Sequence, residues 1–231
     1  MALKKKAIVV HSGGMDSSLC LALAVKEFGA SNVLALSFDY HQRHSIELTR
    51  AKMIAAHFGV DHAVLSITAL HEITENSLTR DVPITHAAGS APNTLVAGRN
   101  GLMARLAGIH AHTLGAKCIY LGVMELEAAN SGYRDCSRAY MDLIQEALRM
   151  DFADPTFEIR TPLVSLTKLQ TMELGFGLGV LEYLLETTVT CYEGKPHEGC
   201  GVCPACKLRN DGVRAFVKAQ PGVEFSWKGK L

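Results

Sequence analysis

Short apolar runs alternate, over the first 70 positions, with segments whose apolar residues recur at helical spacing. Three runs have the composition of buried strands, at residues 7–10, 33–38 and 63–67. Between the first two runs, the spacing of Leu19, Ala22 and Leu23 predicts a helix that begins near Leu19. Between the second and third, another helical face ends at Gly59, a residue type that commonly stops helices. The alternation predicts an α/β fold with a doubly wound, mainly parallel sheet that binds ligands at the carboxyl ends of its strands.

The alternation resumes after an aperiodic stretch at residues 77–101, whose length and proline and glycine content predict a lid or substrate loop. The helix predicted after it has the positions Leu102, Leu106, Ile109 and Thr113. A strand is predicted at 117–123 and an edge strand at 157–163. The helix predicted between these strands has an apolar face at Tyr140, Leu143, Ile144 and Ala147. Thr167 is a candidate cap for a later helix, with Lys168 just inside it.

The sequence Ser-Gly-Gly-Met-Asp-Ser-Ser at residues 12–18 stands between the first predicted strand and the first predicted helix. The first N–H groups of a helix lack partners within it and carry the positive end of its dipole, so they favour phosphate. Adjacent glycines let the backbone approach a ligand, and hydroxyl groups add donors. We therefore predict a pyrophosphate site formed by Ser12, Gly13, Gly14, Met15, Asp16, Ser17 and Ser18.

Two other phosphate-binding loops are excluded by residues that are missing. The ATPase loop ends in Gly-Lys-Ser/Thr, whereas this loop ends in Asp16-Ser17-Ser18 and has no lysine for the terminal phosphates. The dinucleotide fingerprint has three spaced glycines, and only two adjacent ones occur here. Chemistry at the γ-phosphate is thus disfavoured. The plainer alternative is a glycine-serine turn that only opens a helix.

Composition narrows the function classes. The chain has 231 residues, 48% of them hydrophobic, and this length and content suit one large domain with a small appendage. The formal net charge is zero. No long basic run indicates electrostatic capture of nucleic acid, and no apolar stretch approaches the roughly 20 residues that span a bilayer. We expect a cytoplasmic protein with no direct nucleic-acid or membrane partner.

Four of the seven cysteines are Cys191, Cys200, Cys203 and Cys206, in a stretch rich in glycine and proline. Four thiolates fill the tetrahedral shell of Zn²⁺, so this spacing predicts a structural zinc site that supplies folding energy. An iron–sulfur cluster is the rival, and four metal-free thiols are the third possibility. Because the composition changes near Thr187, we predict a catalytic domain at 1–186 and a zinc-binding region at 187–231. Cys20 and Cys118 lie on apolar elements and are expected to be inert core thiols.

Separated motifs along nearly the whole chain point to one family. They are the loop at 12–18, Phe-Asp-Tyr at 38–40 with Gln-Arg-His at 42–44, Ser-Leu-Thr-Arg-Asp at 77–81, Gly-Arg-Asn at 98–100, Ser-Gly-Tyr at 131–133 with Asp-Cys at 135–136, Thr-Pro-Leu at 161–163 with Lys168, and Thr-Cys-Tyr at 190–192 before the cysteine cluster. The loop resembles that of the ATP pyrophosphatase (PP-loop) superfamily. The whole set resembles the 7-cyano-7-deazaguanine synthase family of queuosine biosynthesis.

This resemblance implies a ligase that uses ATP and Mg²⁺ to act on 7-carboxy-7-deazaguanine and ammonia, through an acyl adenylate and an amide, to give a nitrile. It also suggests a homodimer. The candidate catalytic residues are Asp16, Arg43 and Lys168: Asp16 orients the loop or helps to hold Mg²⁺, and the two cations neutralise phosphate charge. The candidates that close over the nucleotide or the substrate are Arg99 and Asn100, and the candidates for the deazaguanine are Tyr133 and Asp135.

Each assignment has a structural alternative. The two cations suit a solvated surface, Tyr133 suits packing, and Asp135 suits a cap for the following helix. His44 is either a base toward ammonium or a structural hydrogen-bonding residue, and His11 suits local packing. The chain departs from the family pattern at His41, Ala97, Ala129 and Arg134.

Three other functions are compatible with parts of the sequence. One is a relative that stops at the amide or acylates another amine, for example a protein N-terminus. Another is a sulfur-transferring relative that uses Cys136. The third is a non-enzymatic zinc ribbon for nucleic acid, which the neutral charge disfavours.

Overall fold

A five-stranded parallel sheet forms the centre of the chain. The computed structural model describes residues 4–40, 46–74, 95–128, 133–224 and 227. The strands are β1 (Ala7–Val10), β2 (Val33–Asp39), β3 (Asp61–Ser66), β4 (Cys118–Tyr120) and β5 (Glu158–Arg160). Their spatial order is β3-β2-β1-β4-β5, and every neighbouring pair is parallel. All five strands coincide with predicted runs, and β5 lies at an edge as predicted.

Helices connect these strands. In chain order they are α1 (Met15–Phe28), α2 (Ile46–His57), α3 (Ala69–Ile73), α4 (Arg99–Leu114), α5 (Glu125–Ala128), α6 (Arg138–Phe152), α7 (Lys168–Gly177), α8 (Leu181–Thr187) and α9 (Pro204–Ala219). The strand order reverses direction between β1 and β4, and open α/β sheets bind ligands at such a switch point.

The two faces of the sheet are covered by different helices. Ala7 and Val9 point to a core shared with α1, α2 and α8, whereas Ile8 points to a core shared with α4 and α6. Successive side chains of a strand face opposite sides, so this short strand serves both cores and consists only of apolar residues. The predicted α/β fold with a doubly wound parallel sheet is confirmed.

The predicted start of the first helix was wrong. Helix α1 begins at Met15, four positions before Leu19, and Gly14 is its N-cap. The hydroxyl groups of Ser17 and Ser18 both donate to the carbonyl of Gly14, which makes these polar residues part of the first turn. Apolar periodicity could not detect a turn held by hydroxyl groups. The phosphate loop therefore includes the helix terminus itself.

Two predicted helical faces were partly wrong. Helix α4 exists, but Leu102 and Ile109 are 38% and 48% exposed, and on α6 Leu143 is 72% exposed. Small residues fill the buried positions of α4: a side chain at Gly108 would collide with Leu148 of α6. The close approach of the two helices is made by glycine and alanine, so the largest apolar residues do not mark the buried face.

The segment after Thr187 packs against the helices that precede it. One apolar cluster joins the start of α1 to α7, α8 and α9 through Met15, Met172, Leu181, Leu185, Val213, Phe216 and Trp227. The domain boundary at residue 187 stays a prediction. None of the helices in the described ranges is both long and apolar enough to cross a bilayer.

Candidate active site

The phosphate loop follows β1 and is shaped by Gly13. This residue has φ +81°, and a Cβ there would collide with the backbone carbonyl oxygen of Glu47 on α2. A positive φ is costly for residues with a side chain, and a backbone atom cannot rotate away. Glycine is therefore required by both conformation and space.

Serine hydroxyl groups hold the loop together. The N–H of Ser12 donates to Ser17 Oγ at 3.2 Å, and the N–H of Gly14 contacts Ser12 Oγ at 3.3 Å. Ser17 Oγ and Ser18 Oγ donate to the carbonyl of Gly14 at 3.0 and 2.8 Å. These bonds leave the first N–H groups of α1 without partners inside the helix, as an anion site requires.

A buried histidine supports the loop from below. His11 has no exposed surface, and its Nε2 lies 3.0 Å from Ser18 Oγ. Because the Ser18 hydroxyl donates to Gly14, His11 must donate from Nε2, which fixes its neutral tautomer. Burial, with a smaller contribution from His62, lowers the pKa of His11 to about 3. This histidine is a packed, neutral part of the loop.

Lys168 reaches the same loop from α7. Its Nζ lies 2.8 and 3.0 Å from the two carboxylate oxygens of Asp16, and the residue is only 8% exposed. Thr167 and Gln170 form a capping box at the start of α7, so the predicted cap is confirmed and fixes the lysine backbone. The alternative of a solvated surface cation is wrong for Lys168. Arg43 and His44 lie outside the described residues.

The sequence interpretation missed Gly122, which follows β4. A Cβ at this position would lie 2.7 Å from the backbone nitrogen of Ser17 and 2.8 Å from the carbonyl carbon of Asp16. The end of β4 thus touches the phosphate loop across the switch point. A glycine inside the strand predicted at 117–123 was the available signal, since such a glycine often marks a close approach of another backbone.

A cavity of about 700 Å³ opens at this edge of the sheet. Its volume is ordinary for a small-molecule site. Predicted residues that line it are Ser12, Gly14, Met15, Asp16, Ser17, Arg99, Asn100, Tyr133 and Lys168. Gly13, Ser18 and Asp135 are not part of the lining; they stand behind it and shape it. Predicted residues from four separate segments of the chain therefore meet around one cavity.

Arg99 lines the cavity from the first position of α4. The guanidinium carbon of Arg99 is 5.7 Å from the ring centroid of Tyr40. The Arg99 side chain also forms a hydrogen bond with the Tyr40 side chain. Burial acts to lower the pKa of Arg99, but Tyr40, Tyr133, Asp135 and Glu47 act in the opposite direction and hold it above its ordinary value. A permanently charged guanidinium therefore stands among aromatic and acidic groups.

Asp135 fixes the start of α4 from outside that helix. The residue is 5% exposed, and its Oδ2 accepts the backbone N–H of Asn100 at 3.0 Å. Its Oδ1 has no hydrogen-bond partner within the part of the chain that is described. The helix after Asp135 is capped by Ser137, so the alternative that Asp135 caps that helix was wrong. One buried carboxylate oxygen is left as a free acceptor.

The region that follows α8 also reaches the cavity. Tyr192 lines it and forms a side-chain hydrogen bond with Tyr133. Burial is the main cause that raises the pKa of Tyr192, and Tyr133 adds to it. Since Tyr192 directly follows Cys191, the cysteine region contributes one wall of the cavity.

Glu47 is a second residue that sequence reasoning missed. It lines the cavity on the first turn of α2, and burial raises its pKa to about 7, opposed by the charge of Arg99. A lone acidic residue in the first turn of a helix has an ordinary electrostatic explanation, so the sequence gave no reason to single it out.

The four predicted metal-binding cysteines converge. Their Sγ atoms all lie within 4.8 Å of one another. Backbone N–H groups of Cys203, Cys206 and Glu193 contact the sulfurs of Cys200, Cys203 and Cys191 at 3.3, 3.4 and 3.4 Å. Such contacts stabilise thiolates. A tetrahedral Zn²⁺ with Zn–S bonds of about 2.3 Å would hold the sulfurs about 3.8 Å apart, so the donor set fits a single ion.

Gly199 leaves room for the sulfur of Cys206 in the cysteine centre. Its φ is +72°, and a Cβ there would collide with Cys206 Sγ. An iron–sulfur cluster of four irons is larger than one ion and needs more widely separated sulfurs, which this tight approach does not provide.

Two of the four departures from the family pattern lie in described ranges. Ala97 and Arg134 are both exposed and do not line the cavity. His41 and Ala129 fall outside the described residues, as does most of the predicted loop at 77–101, from 77 to 94. Cys136 lines the cavity, where its sulfur accepts a contact from Asn100 Nδ2 at 3.4 Å. Cys20 and Cys118 are buried, and burial raises the pKa of both thiols.

Comparison with known proteins connects this geometry to one family. The family model described as "Queuosine biosynthesis protein QueC" matches residues 6–217. Three solved structures are similar at 14% to 17% identity: an NH3-dependent NAD synthetase from Campylobacter jejuni subsp. jejuni NCTC 11168 (17% identity, 78% of this chain and 67% of that chain, TM-score 0.48), an NMN synthetase from Francisella tularensis (17%, 96% and 89%, 0.46) and the U34-tRNA thiolase NcsA from Methanococcus maripaludis with its [4Fe-4S] cluster (14%, 98% and 76%, 0.51). The thiolase match supports the fold alone.

Proposed function

We propose, from the premise that this chain belongs to the family of queuosine biosynthesis protein QueC, that it converts 7-carboxy-7-deazaguanine and ammonia to 7-cyano-7-deazaguanine with two molecules of ATP. The family supports an ATP-using enzyme of queuosine biosynthesis. The observation that carries the finer proposal is a phosphate loop that has no lysine of its own and receives one, Lys168, from another helix.

In the first step a carboxylate oxygen of the substrate attacks the α-phosphorus of ATP and pyrophosphate leaves. The N–H groups at the start of α1 receive the departing pyrophosphate, because they have no partners within the helix and lie at the positive end of its dipole. Lys168 already neutralises Asp16 at the loop and moves to the phosphates as their charge develops. Mg²⁺ bound by phosphate oxygens would supply further charge, with Asp16 as the protein ligand.

Ammonia then attacks the carbonyl carbon of the acyl adenylate. The C–O bond to AMP breaks, AMP leaves, and the proton lost by nitrogen passes to a base or to water. The oxygen of the resulting amide attacks the α-phosphorus of a second ATP and pyrophosphate leaves. Loss of AMP and of both N–H protons, which pass to a base or to water, then gives the nitrile. Both adenylation steps release pyrophosphate, and the same loop therefore binds the leaving group in each of them.

The part of the cavity near Tyr133 suits the deazaguanine. Asp135 Oδ1 lies behind the lining as a buried acceptor without a partner among the described residues, and it would accept an N–H of a guanine-like edge once substrate binding exposes it. Tyr133 lines the cavity beside it and offers an aromatic face for stacking. Arg99 supplies a fixed positive charge to the cavity, where it attracts the substrate carboxylate.

The metal of the cysteine centre is proposed to be Zn²⁺ with a structural role. Four thiolates complete its shell and leave no position for a substrate, so the ion fixes the wall that carries Tyr192. The homodimer and the absence of a nucleic-acid partner stay predictions.

The direct test is incubation of the purified protein with 7-carboxy-7-deazaguanine, ammonium, Mg²⁺ and ATP, followed by mass spectrometry. We expect the nitrile, with two AMP and two pyrophosphate per nitrile. A product that stops at the amide, with one AMP, would support the alternative relative. Hydrolysis of ATP to ADP would contradict the proposal.

A further inference from the structure

An arginine is buried beside the cysteine centre. Arg209 lies on α9, one turn after Cys206, and is only 1% exposed. Burying a guanidinium is costly unless it is paired with an anion or fully hydrogen-bonded. Its partners among the described residues are few. The surroundings of Arg209 should therefore contain a group that offsets the cost of burying its guanidinium.

The contacts of Arg209 leave one nitrogen unsatisfied. Its Nε donates to Asn210 Oδ1 at 2.8 Å, and its guanidinium carbon lies 5.3 Å from the ring centroid of Trp227. Nη2 is buried and has no hydrogen-bond partner among the residues that the structure describes. A buried donor of this kind needs an acceptor or an anionic group close by.

Nη2 faces the cysteine sulfurs across Gly199. A Cβ built on Gly199 would collide with Cys206 Sγ and lie 3.5 Å from Arg209 Nη2, so both atoms border the same space. Burial lowers the pKa of Arg209, and electrostatic interactions with Cys206, Cys191 and Cys203 oppose that effect. Glycine at 199 keeps the space between the guanidinium and the sulfurs open.

The charges are complementary once a metal is bound. Four thiolates and one divalent ion carry a net charge of −2, and three of the four cysteines are buried. A buried anion of this kind needs a nearby cation as much as the guanidinium needs an anion. Groups outside the ligand shell that donate hydrogen bonds to the ligands commonly set metal affinity.

We propose that Arg209 is an outer cation of the metal centre: its charge balances the metal-bound thiolates, and Nη2 donates a hydrogen bond to a ligand sulfur, which raises the affinity for Zn²⁺. This inference rests on the metal proposed above and not on the proposed reaction. The competing explanation is that Arg209 only packs against Trp227 to hold the end of the chain.

The test compares Arg209→Met with Arg214→Met. Arg214 lies on the same helix but is 57% exposed and paired with Asp211, so its replacement controls for helix sequence and net charge. Zinc affinity is measured for the full chain by competition with a colorimetric chelator at one fixed pH. We expect Arg209→Met to weaken zinc binding by about 10- to 100-fold and Arg214→Met to leave it unchanged. Arg209→Lys keeps the charge but lacks the planar guanidinium, so its zinc affinity should lie between those of the two methionine variants.

Unfolding by denaturant separates the charge role from the packing role. We expect metal-free Arg209→Met to be at least as stable as the metal-free natural chain, because an unpaired buried charge has been removed, and the metal-bound variant to be less stable than the metal-bound natural chain. Equal loss of stability with and without zinc, at unchanged zinc affinity, would overturn the inference in favour of packing.

A second variant keeps the inference testable if Arg209→Met does not fold. Trp227→Leu removes the ring and leaves the guanidinium in place, and we expect its zinc affinity to equal that of the natural chain. A loss as large as that of Arg209→Lys would contradict the inference. Failure of the natural chain to bind zinc would instead refute the proposed metal itself.

Discussion

The phosphate loop and the cysteine centre both stand at the N-terminus of a helix, but different forces hold them together. Gly14 caps α1 and Cys203 caps α9. The loop is a single segment of seven residues whose hydroxyl groups bond to its own backbone. The cysteine centre brings residue 191 next to residues 200–206, and its N–H···S contacts each lie within one of these two segments, at 191–193 or at 200–206.

This difference shows what each site needs from its ligand. The loop is held by hydrogen bonds between its own residues, so binding of phosphate costs it little ordering. The cysteine centre brings four thiols together in a segment with few apolar residues, and repulsion between thiolates opposes that arrangement until a cation is bound. The positive end of a helix dipole therefore contributes to both sites. The phosphate loop is held by its own hydrogen bonds, whereas the cysteine centre is completed by an ion.

The largest expected effect is on turnover. Lys168→Met should lower kcat by about 10²- to 10³-fold, because it removes the cation that lies against the phosphate loop. Lys117→Met is the matched control: that lysine is 69% exposed and pairs with Asp154 at the surface. Steady-state pyrophosphate release measures both variants. Equal activity in the two would mean that Lys168 only anchors Asp16.

Next in size is the effect of a side chain in the loop. Gly13→Ala should weaken pyrophosphate binding by about 10²-fold or more, because its Cβ meets the backbone of α2 and displaces the loop. Gly14→Ala should have a smaller effect on binding, since the φ of Gly14 is −81° and the atom nearest to an added Cβ, Ser12 Oγ, is 3.3 Å away. Titration calorimetry measures both. Unchanged binding in Gly13→Ala would show that the loop is not the pyrophosphate site.

Metal removal should separate the two regions. A chelator should lower stability by about 4 kcal/mol if zinc is present at 1,000 times its Kd, which is a fall of roughly 10 °C in Tm for a chain of this length. Affinity for pyrophosphate should stay within about threefold, whereas affinity for 7-carboxy-7-deazaguanine should fall further, because the wall with Tyr192 loses its support. Equal losses for both ligands would mean that the loop also depends on the metal.

The smallest effect is on the pH dependence of stability, where two buried groups oppose each other. The folded-state pKa of His11 is lowered to about 3 from 6.5, so its contribution is present above pH 6.5 and is lost as pH falls. The folded-state pKa of Glu47 is raised to about 7 from 4.5, so its contribution is present below pH 4.5 and is lost as pH rises. Between these limits each group changes stability by up to about 1.4 kcal/mol per pH unit, with opposite sign.

Denaturant unfolding at pH 5.0 and 6.5 resolves the two contributions. Relative to the natural chain, His11→Gln should become less stable at pH 6.5 than at 5.0, and Glu47→Gln should change in the other direction. Glutamine at 11 keeps an N–H near the position of Nε2 and so preserves the bond to Ser18. Parallel profiles for all three proteins would show that neither pKa is shifted by folding.

The fold and the loop were predictable because their signals are local. The run at 7–10, the glycine pair and the cap at Thr167 each act within a few residues, and so does the cysteine spacing. The part of the site formed by Arg99, Asp135 and Tyr133 was only partly predictable: the motifs named these residues, but not that Asp135 accepts a backbone N–H at the start of the helix of Arg99. That contact joins residues 35 positions apart, and no periodicity encodes it.

Two failures share one cause. Gly122 and the buried face of α4 depend on how closely two elements approach, and close approach is made by residues with little or no side chain. Hydrophobicity patterns weight large apolar residues and therefore overlook such positions. Glu47 was missed for a different reason, because its raised pKa arises from burial among residues brought together by the fold.

The transfer of a carboxyl oxygen to AMP tests the central claim most directly. 7-Carboxy-7-deazaguanine labelled with ¹⁸O in its carboxylate is incubated with the protein, ammonium, Mg²⁺ and ATP, and the nucleotide and phosphate products are analysed by mass spectrometry. The account predicts labelled AMP and unlabelled pyrophosphate. ADP as the product, or label in orthophosphate, would contradict it.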